Sequence, residues 1–157
     1  MKDTIKNIIK YSLIKMDMHS KEACDLIYET GMAESGYRAL EQKGGGPALG
    51  FFQCEPNTAD DILKNYVIFR SSISQKLLEI GLPAKVLADI KSVEHMDVLK
   101  YSLLTNLALQ VAFCRLKYRR DPDPIPSTKK GRASYWKKIY NTEKGKGTVD
   151  HYMKANK

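Results

Sequence analysis

The chain has 157 residues, of which 43% are hydrophobic and 28% charged, and its formal net charge is +8. This length and composition fit one ordinary hydrophobic core, so we expect a single domain over residues 1–157 and exclude fibrous and disordered classes. The positive charge favours a polyanionic partner, either nucleic acid or the acidic polymers of a bacterial cell wall.

The first two predicted helices precede a glycine-rich loop. Apolar residues recur at helical spacing from Asp3 to Met16, and polar residues interrupt them, which predicts an amphipathic helix rather than a signal peptide. Ser20 is a good N-cap for a second helix that ends near Gly36 and carries Glu34 in its last turn. Three successive glycines and a proline exclude a helix in the glycine loop, residues 41–50.

The rest of the chain is also predicted to be mainly helical. Residues 51–54 are expected to be a short extended or turn-like piece, and Pro56 fits the first turn of a third helix. Further helices are expected at 72–80, 83–91, 94–118, 131–140 and from about Thr148 onward. The apolar pattern of 94–118 fills both faces, which predicts a central, buried helix. The sequence therefore predicts an all-α fold with at most a very small β element.

No metal, cofactor or membrane span is expected. The cysteines Cys24, Cys54 and Cys114 include no C-x-x-C pair, and no histidine lies at zinc-ligand spacing from another ligand. We expect reduced, mostly buried thiols. No segment approaches the length of a transmembrane helix. We expect the chain to work as a monomer.

Glu34 is the first candidate for chemistry. Cleavage of a glycosidic bond needs an acid that protonates the leaving oxygen, and such a carboxyl needs a pKa raised by apolar, partly dry surroundings. Glu34 follows Met32 and Ala33 at a helix end, where the helix dipole also disfavours the carboxylate. On this local pattern alone, a surface glutamate remains the simpler interpretation.

Four segments, taken in order, resemble the motifs of lysozyme-like lytic transglycosylases. The E-S-G-Y sequence at 34–37 is similar to the glutamate–serine motif of that family. The second segment, 48–58, is similar to the family's G-L-M-Q-x-x-P-x-T stretch, and the matching residues are Gly50, Gln53, Pro56 and Thr58. The third segment, 106–116, opens with an asparagine before a long buried helix. The fourth, 140–149, is similar to the A-Y-N-A-G-x-G-x-V element.

The resemblance covers residues 34 to about 150, with some departures. Ile139 stands where the family has alanine, Phe52 replaces a methionine, and residues 142–143 replace alanine–glycine. The glycine loop and the Y-W-K-K-x-Y-N-T segment look especially like phage-encoded members of the lysozyme superfamily. Such an enzyme is made in the host cytoplasm without a signal peptide and reaches the wall through a holin lesion or as part of a virion.

The resemblance implies cleavage of the β-1,4 bond between N-acetylmuramic acid and N-acetylglucosamine, with Glu34 as general acid and base. Gln53 would bind an N-acetyl group or hydroxyls of the sugar, although a turn hydrogen bond also explains it. Tyr140 would donate a hydrogen bond to Glu34 or to the sugar, and its alternative is a core aromatic. Ser35 would support the site or end the helix, and Asn141 completes the substrate-binding set.

The mechanism depends on whether a second carboxylate takes part. An inverting hydrolase needs a base about 6.5–9.5 Å from the acid, and a retaining one a nucleophile about 5 Å away. Glu41, just after the catalytic helix, is the main candidate, whereas Glu55, Asp60 and Asp61 look like charges at a helix N-terminus. A lytic transglycosylase needs none, because one glutamate forms a 1,6-anhydro end. The sequence leaves muramidase and transglycosylase chemistry open.

Two rival functions remain at this point. One is a lysozyme-fold protein that binds glycan, or serves in a virion, without cutting. The other is a basic helical nucleic-acid binder that uses the lysines and the arginine of residues 129–138.

Because Trp136 lies four residues before Tyr140, both are expected on one helical face, where Trp136 either packs or stacks on a sugar ring.

Overall fold

The computed structural model describes residues 1–157 and is built from nine α-helices without a β-sheet, which confirms the predicted all-α fold. The α-helices in chain order are α1 (Lys2–Lys15), α2 (Lys21–Glu34), α3 (Pro56–Asn65), α4 (Ser71–Glu79), α5 (Ala84–Ala88), α6 (His95–Thr105), α7 (Leu107–Arg119), α8 (Lys129–Trp136) and α9 (Val149–Ala155). A 3-10 turn follows α3 at Val67–Phe69, and a π-helical turn follows α8 at Lys137–Asn141.

Capping side chains fix the predicted starts of α2 and α9. The Ser20 hydroxyl accepts a hydrogen bond from the backbone N–H of Ala23, and the Thr148 hydroxyl accepts one from that of His151. Each bond satisfies a first-turn N–H that has no partner within its helix. Pro56 occupies the first turn of α3, as predicted.

The prediction of one helix over 94–118 is wrong, because α6 and α7 meet at Asn106. Asn106 has an extended backbone (φ −115°, ψ 103°), and its side-chain oxygen accepts from the N–H of Leu109 at 3.0 Å. Its amide nitrogen donates to the carbonyl of Ile80 at 3.0 Å. An asparagine that caps a new helix ends the preceding one, which apolar spacing alone does not reveal. The expected burial holds for α7, most of whose residues are buried.

Two other predicted helices have different bounds. The helix expected at 83–91 is only α5, because the chain turns at Asp89, whose carbonyl accepts from the N–H of Ser92 at 2.8 Å. The helix expected at 131–140 begins earlier, with α8, and widens into the π-helical turn at Lys137. The π-helical turn ends at Asn141, and the next residue, Thr142, has a positive φ of 66°.

The interior is one cluster of 32 buried apolar residues. Helix α7 packs against α1, α2, α3 and α6, and α9 packs against α2 and α8. All three cysteines are free thiols, with Cys54 and Cys114 buried and Cys24 half-buried. None of the helices combines the length and apolar character that a membrane crossing requires.

A buried ion pair joins α2 to α8. The Nε and Nη2 atoms of Arg132 donate to the two carboxylate oxygens of Glu29, both at 2.7 Å. The Tyr152 hydroxyl donates to the same carboxylate at 2.9 Å, and the Asn156 amide donates to the Glu29 backbone carbonyl at 3.0 Å. Glu29 therefore links α2 to α8 and α9, at a position five residues before Glu34.

Candidate active site

An open cleft of about 800 Å³ lies at the C-terminal end of α2. Residues of the glycine loop border it, as do residues of a second loop, 142–148, which we call the lysine loop. Residues from α7, α9 and the π-helical turn complete the lining. Apart from Glu41, the predicted site residues all line this cleft: Glu34, Ser35, Gln53, Tyr140 and Asn141.

Glu34 is the last residue of α2 and is half-buried. Its Oε1 atom accepts a hydrogen bond of 2.8 Å from the indole N–H of Trp136, a side chain that is 1% exposed. The tryptophan ring packs against Tyr152, with ring centroids 5.3 Å apart. The carboxyl is thus held by a donor whose own position is fixed by the core.

Burial raises the pKa of the Glu34 carboxyl above its usual value. The hydrogen bond from Trp136 and the nearby Lys117 and His151 lower it, but their effect is smaller. A carboxyl of this kind stays protonated to a higher pH than an exposed glutamate, and this is the property that a general acid needs.

Two hydrogen bonds and one required glycine fix the turn at residues 50–54 beside Glu34. The Ser35 hydroxyl donates to the carbonyl of Phe51 at 2.7 Å, and the N–H of Phe51 donates to the side-chain oxygen of Gln110 at 2.9 Å. Gly50 has a φ of +73°, and a Cβ atom there would lie 2.7 Å from Gln110, so this position requires glycine. Ser35 therefore joins the end of α2 to the turn.

Gln53 occupies this turn in a left-handed conformation, with a φ of +48°. Its amide nitrogen donates to the Gly50 carbonyl at 2.8 Å, which is the turn hydrogen bond that the sequence offered as an alternative. The side chain also lines the cleft. A non-glycine residue in a left-handed conformation beside a candidate catalytic group is typical of strain kept for function.

The hydrogen bond predicted from Tyr140 to Glu34 is absent. Tyr140 is 4% exposed, and its hydroxyl donates to the carbonyl of Phe52 at 2.7 Å. Its ring stacks on that of Tyr118, with centroids 5.2 Å apart. Because a phenol has one O–H to donate, this bond leaves none for Glu34. Tyr140 instead positions the turn that carries Gln53.

Asn141 lines the cleft, but its side-chain oxygen is already engaged. The Lys137 ammonium donates to this oxygen at 2.8 Å and to the carbonyls of Thr142 and Gly145, both at 2.9 Å. A Cβ atom at Gly145 would lie 2.3 Å from the Asn141 carbonyl oxygen. Asn141 and Lys137 thus shape the lysine loop.

Glu41 does not line the cleft. It is exposed and pairs through its backbone with Leu49, at the base of the glycine loop. The carboxylates among the lining residues belong to Glu34 and Glu55, and Glu55 is the exposed N-cap residue of α3. Glu41, the main candidate for a second carboxylate, therefore lies outside the cleft, because its backbone pairing with Leu49 holds it at the base of the glycine loop. Glu55 is the carboxylate that lines the cleft together with Glu34.

Three residues of the site make contacts that the sequence did not predict. Trp136 was expected to pack or to stack on a sugar, His151 was weighed only as a metal ligand, and Lys117 was not considered. His151 Nε2 lies 2.7 Å from the Ala33 carbonyl, and Nε2 carries the hydrogen because a carbonyl only accepts. The i, i+4 spacing of Trp136 and Tyr140 was the one available signal.

Comparison of the chain with protein-family models, curated proteins and solved structures finds no significant match. No group of three or more His, Cys, Asp and Glu side chains lies close enough together to hold a metal ion.

Replacing Trp136 by phenylalanine is expected to raise the pKa of the Glu34 carboxyl. The indole hydrogen bond lowers that pKa, so its loss leaves the effect of burial less opposed. The measurement is an NMR titration that follows the Glu34 carboxyl carbon. Tyr152→Phe, which removes a buried donor to Glu29 outside the cleft, should leave the pKa of Glu34 where it is in the wild type. A pKa of Glu34 that falls in Trp136→Phe contradicts this role.

Proposed function

We propose that this chain is a peptidoglycan-degrading glycosidase that cleaves the β-1,4 bond between N-acetylmuramic acid and N-acetylglucosamine. The observation that carries the proposal is Glu34, a half-buried carboxyl with a raised pKa that lines an open cleft of about 800 Å³. A polymer can lie in an open cleft, and a protonated carboxyl beside it can donate to a glycosidic oxygen. The ordered resemblance of residues 34–150 to lytic transglycosylases adds the substrate class.

In this mechanism, Glu34 protonates the leaving oxygen and is left as a carboxylate. The Trp136 N–H and the nearby Lys117 stabilise that carboxylate, since both favour its charged form. Gln53 lines the cleft and would bind the N-acetyl group or a hydroxyl of the sugar through its side-chain oxygen or its remaining N–H. Ser35 and Tyr140 act as positioning residues, because each donates to a backbone carbonyl of the turn that carries Gln53.

We propose the transglycosylase outcome, in which Glu34 then takes a proton from the muramyl C6 hydroxyl and a 1,6-anhydro end forms. Apart from Glu34, the carboxyl that lines the cleft is that of Glu55, which is exposed at the start of α3. Glu55→Gln is therefore expected to retain most of the wild-type rate. A loss of about a hundredfold or more would instead indicate a base or nucleophile and hydrolysis.

Digestion of purified sacculi, followed by mass spectrometry of the released muropeptides, tests the proposal. Anhydromuramyl ends support the transglycosylase outcome, and reducing muramic acid ends indicate a muramidase. If the chain binds sacculi but releases nothing, it is a glycan-binding or virion structural protein, and the enzymatic proposal is wrong.

The nucleic-acid alternative loses most of its basis, because the basic stretch 129–138 makes contacts within the chain. Arg132 is buried against Glu29, Lys137 binds the lysine loop, and Lys138 pairs with Asp121 and Asp123. Lys129 donates to the Asn156 carbonyl at 2.6 Å. Of the five cations in this stretch, Lys130 is exposed without such a contact, and one free lysine does not make a basic face. Retention on DNA at physiological salt remains the direct test.

Phage origin and the route to the wall stay part of the proposal, as an endolysin or a virion component. They rest on the resemblance of the glycine loop and of the C-terminal segment to phage-encoded members of the superfamily.

A further inference from the structure

The cleft is lined by more cations than carboxylates. Lys43 comes from the glycine loop, Lys144 and Lys146 from the lysine loop, and Lys117 from α7. Two glutamates accompany these four lysines, and one of them, Glu34, has a raised pKa that favours its neutral form. The cleft therefore carries a net positive charge, which is larger while the acid is protonated.

None of these four lysines forms a salt bridge, whereas other lysines of the chain do, such as Lys21 with Asp25 at 2.8 Å. Lys117 lies close enough to Glu34 to favour its carboxylate, but the three lysines of the loops are in no ion pair. Lys117 donates to the Tyr140 carbonyl at 2.7 Å, and its Nζ lies 4.0 Å from the centroid of that ring. The position of the Lys117 ammonium is therefore fixed by a backbone carbonyl and an aromatic ring, and neither of these groups neutralises its charge.

Free lysines on two loops that border one cleft repel each other, and a bound anion would relieve that repulsion. A neutral sugar gives no such gain. Lys43, Lys144 and Lys146 are exposed, and a flexible lysine stem lets each ammonium follow a carboxylate that sits at variable positions along a polymer.

Building on the proposed function, we infer that Lys43, Lys144 and Lys146 form a carboxylate-recognising subsite. This subsite would make the cleft selective for glycan strands that carry free carboxylates over neutral strands of the same sugars. The carboxylate can belong to the lactyl group of the muramyl sugar or to a stem peptide, and the chemistry of recognition is the same.

Three soluble substrates test the inference. The first is a glycan strand whose stem peptides an amidase has removed, which frees the lactyl carboxylates, and the second is the same strand with those carboxylates converted to methylamides. The third is the peptide-bearing strand. We expect the wild type to cut the free-acid strand about tenfold faster than the methylamide strand at low salt, with the ratio falling as salt rises.

The matched variants carry three lysine-to-glutamine changes each. The cleft variant is Lys43→Gln with Lys144→Gln and Lys146→Gln, and it should lose the preference for the free acid. The control variant changes three exposed lysines outside the cleft, Lys15, Lys85 and Lys91, and should keep it. Both variants lower the net charge equally.

Each outcome decides a different point. Preference on the stripped strand assigns the carboxylate to the lactyl group, and preference only on the peptide-bearing strand assigns it to the stem peptide. Equal rates on all three substrates overturn the subsite while the glycosidase stands. Equal loss of preference in both variants also overturns it, because net charge would then explain the preference. A chain that cuts none of the three strands fails as the proposed glycosidase itself.

Discussion

Glu34→Gln is expected to lower the rate of glycan cleavage by a factor of roughly 10²–10⁴, the usual contribution of a general acid. Glutamine has nearly the same shape as glutamate but no transferable proton. Its side-chain oxygen can still accept the 2.8 Å hydrogen bond from Trp136. The variant should therefore bind sacculi normally and leave them uncut. Release of muropeptides from sacculi is the measurement.

The same substitution should raise thermal stability at neutral pH. Because the pKa of Glu34 is raised in the folded state, its ionisation costs folding free energy as pH rises from the unfolded value of 4.5 through the folded value. Glutamine does not ionise, so the variant avoids that loss. The Tm difference should favour the variant at pH 7 and be small near pH 4, below both pKa values.

Glu41→Gln is the matched control, since Glu41 is exposed and outside the cleft. It should keep the wild-type rate and show no such pH-dependent gain in Tm. If Glu34→Gln solubilises sacculi as fast as wild type, the catalytic assignment is wrong. If it is inactive and also less stable than wild type at pH 7, the lost activity reflects damage to the fold.

Arg132→Met is expected to destabilise the fold by about 3–5 kcal/mol, the usual cost of breaking a buried ion pair by removing one partner. The side chains of Arg132 and Glu29 are 6% and 8% exposed. The variant leaves the Glu29 carboxylate buried with one hydrogen bond, from Tyr152, and no countercharge. Urea unfolding, followed by circular dichroism, gives the change in free energy of unfolding.

Two controls separate this effect from ordinary surface electrostatics. Lys21→Met removes an exposed pair with Asp25, and should leave the free energy of unfolding nearly unchanged. The double variant Glu29→Gln with Arg132→Met removes both buried charges and keeps an acceptor for Tyr152. It should be more stable than Arg132→Met alone. A double variant that is less stable would mean that packing, rather than the unpaired charge, accounts for the loss.

Local sequence information was sufficient for the fold class and for much of its detail. The caps at Ser20 and Thr148 and the first-turn Pro56 act within one helical turn, so a pattern of neighbouring residues predicts them. The glycine loop is excluded from helix by its own backbone preferences. Asn106 shows the limit, since the apolar spacing runs on through a residue that ends one helix and begins the next.

The candidate site was predicted as a set of residues but not as a set of contacts. Glu34 and Trp136 are 102 residues apart in the chain, and the Tyr140 hydroxyl bonds a carbonyl 88 residues away. No local rule specifies such partners, because they meet only when α9 packs against both α2 and α8 and the π-helical turn lies against the turn at residues 50–54. Local patterns in the chain thus predict a glutamate at the end of α2 beside a glycine loop. The packing of distant segments makes Trp136, rather than Tyr140, the hydrogen-bond donor to this glutamate, and it supplies the burial that raises the pKa of Glu34.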